Sequence, residues 1–243
     1  KLFDMILNIC KENIDDMKNL NFVDLFAGTG TVGFNMTNYC KFIKSNDLEY
    51  YSFVINNALL KCNYSDKLKQ IIRQLNDIDI GEGKCDGLIY KNFSPNNECE
   101  RMFFTNENAI KCDSIRVYIE NLLKNAEITK EEYYFLLGSL LTSIDKVANT
   151  TSVYGAYLKS FKTSANKLLE LKPIHQKTKL KIKENAVTNL LSEELVKQSS
   201  SDQWDIVYID PPYNQRQYGA NYSPLNYIAL YDKNIELKGK PHL

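Results

Sequence analysis

Apolar residues recur at helical spacing through the first eighteen positions: Leu2, Met5, Ile6 and Ile9, then Ile14 and Met17. A compact apolar run, NFVDLF (21–26), reads as a strand. GTG (28–30) reads as a turn, and Val32 onward as the start of a helix. CKFIKSND (40–47) predicts a second strand ending on Asn46 and Asp47, and YYSFVINNALLKCN (50–63) predicts a helix. This β-turn-α-β-α order opens a parallel, doubly wound α/β sheet of the Rossmann-like type.

The regular pattern then breaks. Residues 76–114 are rich in Asn, Gly, Asp and Cys and read as loop with short strands. SIRVYIENLLKNA (114–126) keeps Ile115, Tyr118, Ile119, Leu122 and Leu123 on one helical side. TKEEYYFLLGSLLTSIDKVAN (129–149) opens with Thr129 and Glu132 at capping-box spacing. GAYLKSFKTSANKLLELK (155–172) predicts a further helix, stopped by Pro173. The sheet is expected to resume with KLKIKEN (179–185), a helix over 190–197 and the strand WDIVYID (204–210), whose Val207 and Ile209 read as buried. The expected organisation is a core of 1–70 and 180–243, split by a mostly helical insertion over 71–179.

Composition narrows the chemistry. At 243 residues with 44% hydrophobic and 25% charged positions, the chain has the make-up of a globular protein with a sizeable core. No apolar run reaches the ~20 residues of a membrane span. No secretion leader is visible, because Asp4, Lys11 and Glu12 interrupt the N-terminal stretch. The cysteines (Cys10, Cys40, Cys62, Cys85, Cys99 and Cys112) lack C-x-x-C spacing and read as reduced thiols, so no metal site is expected. His175 and His242 are too few for a multi-histidine metal site or a histidine-based triad. Acids and bases balance at 30 each, yet Lys159 to Lys183 holds eight lysines and only Glu170 as an acid. That stretch reads as a solvated face or as a phosphate-contacting one.

Two segments carry the chemistry. Gly28, Gly30 and Gly33 form G-x-G-x-x-G after a strand, a turn that suits more than one nucleotide cofactor. Downstream, DPPY puts Asp210 at the carboxyl end of a strand, where open α/β sheets place their ligands. Pro211 and Pro212 stiffen the turn, leave the Pro211 carbonyl free to accept, and deliver Tyr213 as a flat ring. A carboxylate and a rigid carbonyl side by side accept two hydrogen bonds from one planar NH₂ group, and the ring beside them stacks on a base. Nothing here supplies the acid–base partner of a hydride transfer.

DLFAGTG (24–30) and DPPY (210–213), in this order, resemble the S-adenosylmethionine-dependent DNA adenine-N6 methyltransferases of the D12-like, DPPY type. DPPYNQRQYGANY and FFTNENAIKCDSIR add to the likeness. The resemblance implies that Asp210, Pro211, Pro212 and Tyr213 act on a flipped-out adenine. It implies that Asp24, Phe26, Ala27, Gly28, Thr29 and Gly30 line the methionine end of the cofactor, with no Cβ at Gly28 or Gly30 to collide with it. Asp47 would accept from the ribose hydroxyls, and Asn185 or Asn189 would meet the cofactor adenine. Double-stranded DNA is the implied partner, a cognate restriction endonuclease the implied companion, and the bacterial cytoplasm the implied setting. Arg216, Gln217, Tyr218, Asn221 and Tyr222 form a candidate loop over the base, while Arg101, Asn106, Asn108, Lys111 and Arg116 are of types that read base edges.

Other readings stay open at this level. Ribosomal-RNA guanine-N2 methyltransferases share similar motifs but usually lack so long an insertion between them, and cytosine-N4 enzymes grip the same kind of amine. A catalytically silent DNA-binding piece is a further reading. KLFDMI resembles the tail of a cofactor-binding motif, and the chain ends about thirty residues after DPPY, so a fragment of a longer protein is expected.

Overall fold

The computed structural model describes residues 2–78, 86–151, 153–180, 185–199, 203–213 and 218–232, excepting the side chains of 218–220. In chain order the described elements are α1 (Leu2–Asn13), β1 (Asn21–Asp24), α2 (Thr31–Met36), β2 (Phe42–Asn46), α3 (Tyr50–Leu60), α4 (Asp66–Asn76), α5 (Leu88–Phe93), α6 (Asn106–Lys124), α7 (Lys130–Lys146), β3 (Ala186–Thr188), α8 (Ser192–Gln198), β4 (Ile206–Tyr208) and α9 (Tyr218–Leu230). The strands form one sheet in the order β3-β2-β1-β4, every described pair parallel. This is the parallel α/β core that the opening alternation predicts, with the glycine turn and the D-P-P-Y turn following strands that pair in parallel.

Each face of the sheet is buried differently. Phe22 and Ile43 face the main core, where α3, α6 and α7 supply Val54, Ile55, Ile115, Ile119, Phe135 and Leu140. Val23 and Leu25 face a smaller cluster built with Leu195 of α8, Phe26, Leu190 and Trp204. The α7 start is fixed by the expected capping box: Thr129 accepts from the Glu132 N–H, and the Glu132 carboxylate accepts from the Thr129 N–H. Those reciprocal bonds satisfy two donors that have no partner inside the helix.

Several expectations are corrected. Residues 76–114 hold α5 and the first turns of α6, which starts at a Thr105 cap rather than near Ser114. Helix α4, capped by Ser65 and buried through Leu68, Ile71, Ile72 and Leu75, was not expected. The segment 155–172 is not helical. Three asparagine side chains satisfy its backbone instead. Asn149 Nδ2 donates to the Leu158 carbonyl and its Oδ1 accepts from the Lys162 N–H. Asn108 donates to the Ala165 and Lys167 carbonyls and accepts from the Leu169 N–H. Asn76 exchanges both its bonds with Leu171. With these partners the chain has no need of a helical ladder.

Of the predicted strand KLKIKEN, residues 181–184 lie outside the described residues; the described strand is Ala186–Thr188. Val207 and Ile209 are 40% and 60% exposed, against the expectation of burial, because among the described residues β4 is an edge strand. Arg216 and Gln217 lie outside the described residues, and Tyr218, Asn221 and Tyr222 belong to α9 rather than to a loop. Cys85 also lies outside; the other cysteines are free thiols. Among the described residues no helix is long and apolar enough to cross a membrane.

Candidate active site

Past Asp24 the Leu25 N–H donates to the Tyr208 carbonyl and the Ala27 N–H to the Asn46 carbonyl. The chain then turns at Gly28 (φ +51°) and Gly30 (φ +70°) into α2. That left-handed backbone costs a residue with a Cβ about 1–2 kcal/mol. The Gly28 peptide is held on both sides. Its N–H donates to Asp47 Oδ2 at 2.7 Å, while its carbonyl accepts from Ser52 Oγ at 2.5 Å and Asn56 Nδ2 at 3.3 Å. Helix α3 thus sets the shape of the glycine turn. Asp47 also accepts the Glu49 N–H on Oδ1, a local turn that starts α3.

Asn46 knits the strand tips together. Its amide donates to the carbonyls of Leu25 and Leu190 and accepts from Thr188 Oγ1 and the Leu190 N–H. Every polar valence of this buried side chain is used, which fixes three chain segments at the same edge of the sheet.

That edge opens on a cavity of about 720 Å³. Its floor is the glycine turn, Phe26 to Thr29, with Asp24 beneath. One wall is Asp47, Leu48 and Glu49, with Leu190, Leu191 and Ser192 also lining the cavity. The opposite wall is Asp210, Pro211, Pro212 and Tyr213, backed by Tyr208 and Tyr222. The two sequence motifs, nearly two hundred residues apart, therefore share one hollow. No Lys, Arg or His stands among the described residues that line it, whereas four carboxyl groups do.

Asp24 is 1% exposed, and its Oδ1 has no hydrogen-bond partner. Burial pushes its carboxyl up to about 7, helped by the charges of Asp47 and Asp210 and opposed by the N–H groups of Phe26 and Gly33. A buried carboxylate without a counter-charge favours a positively charged occupant of the cavity. Asp210 is exposed at the rim, and the Tyr208 hydroxyl donates to its Oδ2 at 3.3 Å. Burial and the neighbouring Asp210 raise the Tyr208 pKa, so the phenol keeps its proton. Tyr213 is 84% exposed, its ring face open to a planar partner.

Of the predicted site residues, all but two line the cavity. Gly30 does not: a Cβ there would meet Asn56 Oδ1 at 2.7 Å and Leu59 Cδ1 at 2.8 Å, so its bareness serves the close approach of α3. At Gly28 a Cβ would meet nothing within 4 Å. Asn185 does not line the cavity either. It is buried, accepts from the Ile43 N–H at the start of β2 and donates to the Leu60 carbonyl, at the other end of the sheet. Asn189 donates to the carbonyls of Asp47 and Leu48. Leu48 and Leu191, 58% and 47% exposed, line the cavity as apolar wall that no motif marks in the sequence. Ser52 and Asn56 were likewise missed, because their partner is a backbone carbonyl.

Three of the candidate base readers belong to the fold. Asn108 is committed to the 165–169 backbone and Lys111 to the Asn76 carbonyl. Arg116 donates to the Ile228 and Ala229 carbonyls, Tyr133 and Glu120. Arg101 donates to the Asn92 carbonyl, while Asn106 is exposed on the first turn of α6. In the lysine-rich stretch, Lys162 donates to the Thr150 carbonyl, Lys172 pairs with Glu170, and Lys177 lies 4.2 Å over the Phe34 ring. Lys181 and Lys183 lie outside the described residues.

With the site assembled, its relatives are informative. Residues 1–240 match the family model described as D12 class N6 adenine-specific DNA methyltransferase. The chain is 41% identical over 239 residues to the Type II methyltransferase M.NlaIII of Neisseria lactamica, covering 98% of this chain and 68% of that protein. It is 42% identical over 228 residues to the Type II methyltransferase M.CviAII of Paramecium bursaria Chlorella virus 1, covering 94% and 66%. It is 38% identical over 252 residues to the modification methylase LlaI of Lactococcus lactis subsp. lactis, covering 98% of this chain and 38% of that one. No solved structure matches the chain. It thus spans about two thirds of the length of the first two relatives and much less of the third.

Proposed function

The chain belongs to the D12 class of N6 adenine-specific DNA methyltransferases, and from that premise we propose that its cavity takes S-adenosylmethionine and its D-P-P-Y turn a flipped-out adenine of duplex DNA. The family sets aside the guanine-N2 and cytosine-N4 alternatives. The observation that carries the reading is the single hollow shared by Phe26–Thr29 and Asp210–Tyr213. When bound, the cofactor supplies an electrophilic methyl group on a positively charged sulfur.

The chain's own residues do the rest. Gly28 offers backbone with open space above it, the Asp47 carboxylate keeps lone pairs for ribose hydroxyls, and Leu48 and Leu191 offer apolar flanks to a purine. Asp24 and its acidic neighbours suit a cationic ligand. Asp210 accepts a hydrogen bond from the adenine amine, with the Pro211 carbonyl beside it, which raises electron density on the nitrogen and aims its lone pair. Tyr213 stacks on the extruded base, a contribution of about 1–3 kcal/mol. Proximity and alignment then carry much of the rate, and no protein nucleophile is required. The relatives' names, Type II methyltransferase and modification methylase, support a protective role beside a restriction endonuclease.

The test uses tritiated S-adenosylmethionine, unmethylated genomic DNA and calorimetry with the cofactor. Asp210→Ala is expected to abolish transfer and retain cofactor binding. Unchanged transfer in that variant overturns the assignment of Asp210. A parent chain that binds no cofactor supports the silent DNA-binding reading instead.

A further inference from the structure

One side chain joins the cofactor wall to the helix that leads away from the target-base turn. Asn226, inside α9, accepts the Tyr51 N–H on Oδ1 at 2.8 Å and donates from Nδ2 to Glu49 Oε2 at 2.5 Å. Tyr51 lies in the first turn of α3, where amide hydrogens have no partner within the helix. Glu49 occupies the cap position of α3 and makes no side-chain cap bond. Asn226 therefore caps α3 from another element. One turn earlier on α9, the Tyr222 ring stacks on the Tyr51 ring, with centroids 5.0 Å apart and planes 29° apart. Glu49, Tyr51 and Tyr222 all line the cavity. The next residue of α3, Ser52, holds the Gly28 carbonyl. A continuous set of contacts thus runs from the glycine turn, through the first turn of α3, into α9.

We propose that Asn226 is a positioning residue that locks α9 to the rim of the cofactor cavity, so that filling the cavity steadies the helix following the target-base turn. This rests on the reading of the cavity as the methyl-donor site. A ligand that orders Gly28 and the α3 start pays part of the cost of ordering α9, and the base then meets a wall already in place.

Hydrogen exchange read by mass spectrometry, with and without S-adenosylmethionine, tests this without any knowledge of the DNA sequence recognised. In the parent chain, peptides covering 26–31 and 221–230 should both exchange ~3-fold or more slowly with cofactor bound. In Asn226→Ala the slowing at 26–31 persists and that at 221–230 disappears. Asn226→Asp alone sets a carboxylate against Glu49 and also uncouples the two. Adding Glu49→Gln restores a donor–acceptor pair with the roles exchanged, and with it the slowing at 221–230. A merely structural asparagine would not show that reciprocal rescue. Slowing at 26–31 without any at 221–230 in the parent overturns the proposal alone, as does equal slowing of α9 in Asn226→Ala or a double variant that stays uncoupled. No slowing anywhere overturns the cofactor reading itself, and this inference with it.

Discussion

The Tyr208 hydroxyl donates to Asp210 Oδ2 at 3.3 Å, and Tyr208 is also the cross-strand partner of Asp24. The phenol thus lies close enough to both acids for the charge of each to raise its pKa. On the proposed reading, Oδ2 is engaged by this hydroxyl and Oδ1 is the oxygen left to accept from an incoming amine. Tyr208→Phe removes only the hydroxyl. Hydrogen bonds to charged groups contribute about 1.5–3 kcal/mol, and this one is long and lies in a partly exposed place, so a ~10-fold slower single-turnover methyl transfer is expected. Cofactor affinity by calorimetry should not change. A transfer rate equal to the parent's would show that the hydroxyl is idle.

The two turn glycines should part company when each is given a methyl group. Both have positive φ, so each alanine meets backbone strain of about 1–2 kcal/mol. At Gly28 nothing else opposes the new Cβ, but that residue lines the cavity. At Gly30 the Cβ would sit 2.7 Å from Asn56 Oδ1 and 2.8 Å from Leu59 Cδ1, inside the α3 contact. Gly28→Ala should therefore lower cofactor affinity with a modest loss of stability. Gly30→Ala should lower stability by a further ~1–3 kcal/mol, as overpacking does. Urea melts and calorimetry on the two variants make the comparison.

Sequence and structure agree where local rules and the fold point the same way. The glycine turn, the two strands that flank it and the Thr129 capping box are legible because each depends on neighbours within a few residues. The meeting of Asp210 with the 26–30 turn is legible because parallel sheets gather ligands at one edge. What could not be read is side chain to backbone and long in range. Asn46, Asn56, Asn108 and Asn149 each spend the amide on a backbone group from a distant part of the chain, a use that no local pattern signals. The 155–172 helix failed for the same reason: its apolar spacing suits a helix, but Leu169 and Leu171 are buried by an irregular chain held on asparagine amides.

The Asp24 carboxyl gives the cavity a pH response with a definite sign. Burial raises it from 3.8 to about 7 in the folded chain. Between those values the folded state holds a proton that the unfolded state has lost, so this group's contribution to stability falls as pH rises through the window and levels off above 7. A cationic ligand favours the ionised form. S-adenosylmethionine should thus bind more weakly as pH drops below 7, by up to ~10-fold per pH unit for one coupled proton. Asp24→Asn should flatten that dependence and leave the affinity low throughout. Calorimetry between pH 5.5 and 8 (roughly the range over which one site titrates), in buffers of differing ionisation heat, reads both the slope and the proton release. A parent slope of zero over that range would remove Asp24 from the cofactor's charge balance.

Asn108 separates a reader of DNA from a keystone of the fold. The side chain is 1% exposed on α6 and makes bonds to the Ala165 and Lys167 carbonyls and the Leu169 N–H. Each such bond is worth about 0.5–1.5 kcal/mol net, and truncation also strands buried backbone groups, so Asn108→Ala should cost ~3 kcal/mol in urea denaturation. Asn106 is exposed two residues earlier, and Asn106→Ala should stay within about 0.5 kcal/mol of the parent. DNA affinity should follow the opposite order at a temperature where both variants are folded, since only Asn106 presents its amide to solvent. A stable Asn108→Ala protein with selectively weakened DNA binding would reverse the assignment and return this residue to the base-reading set.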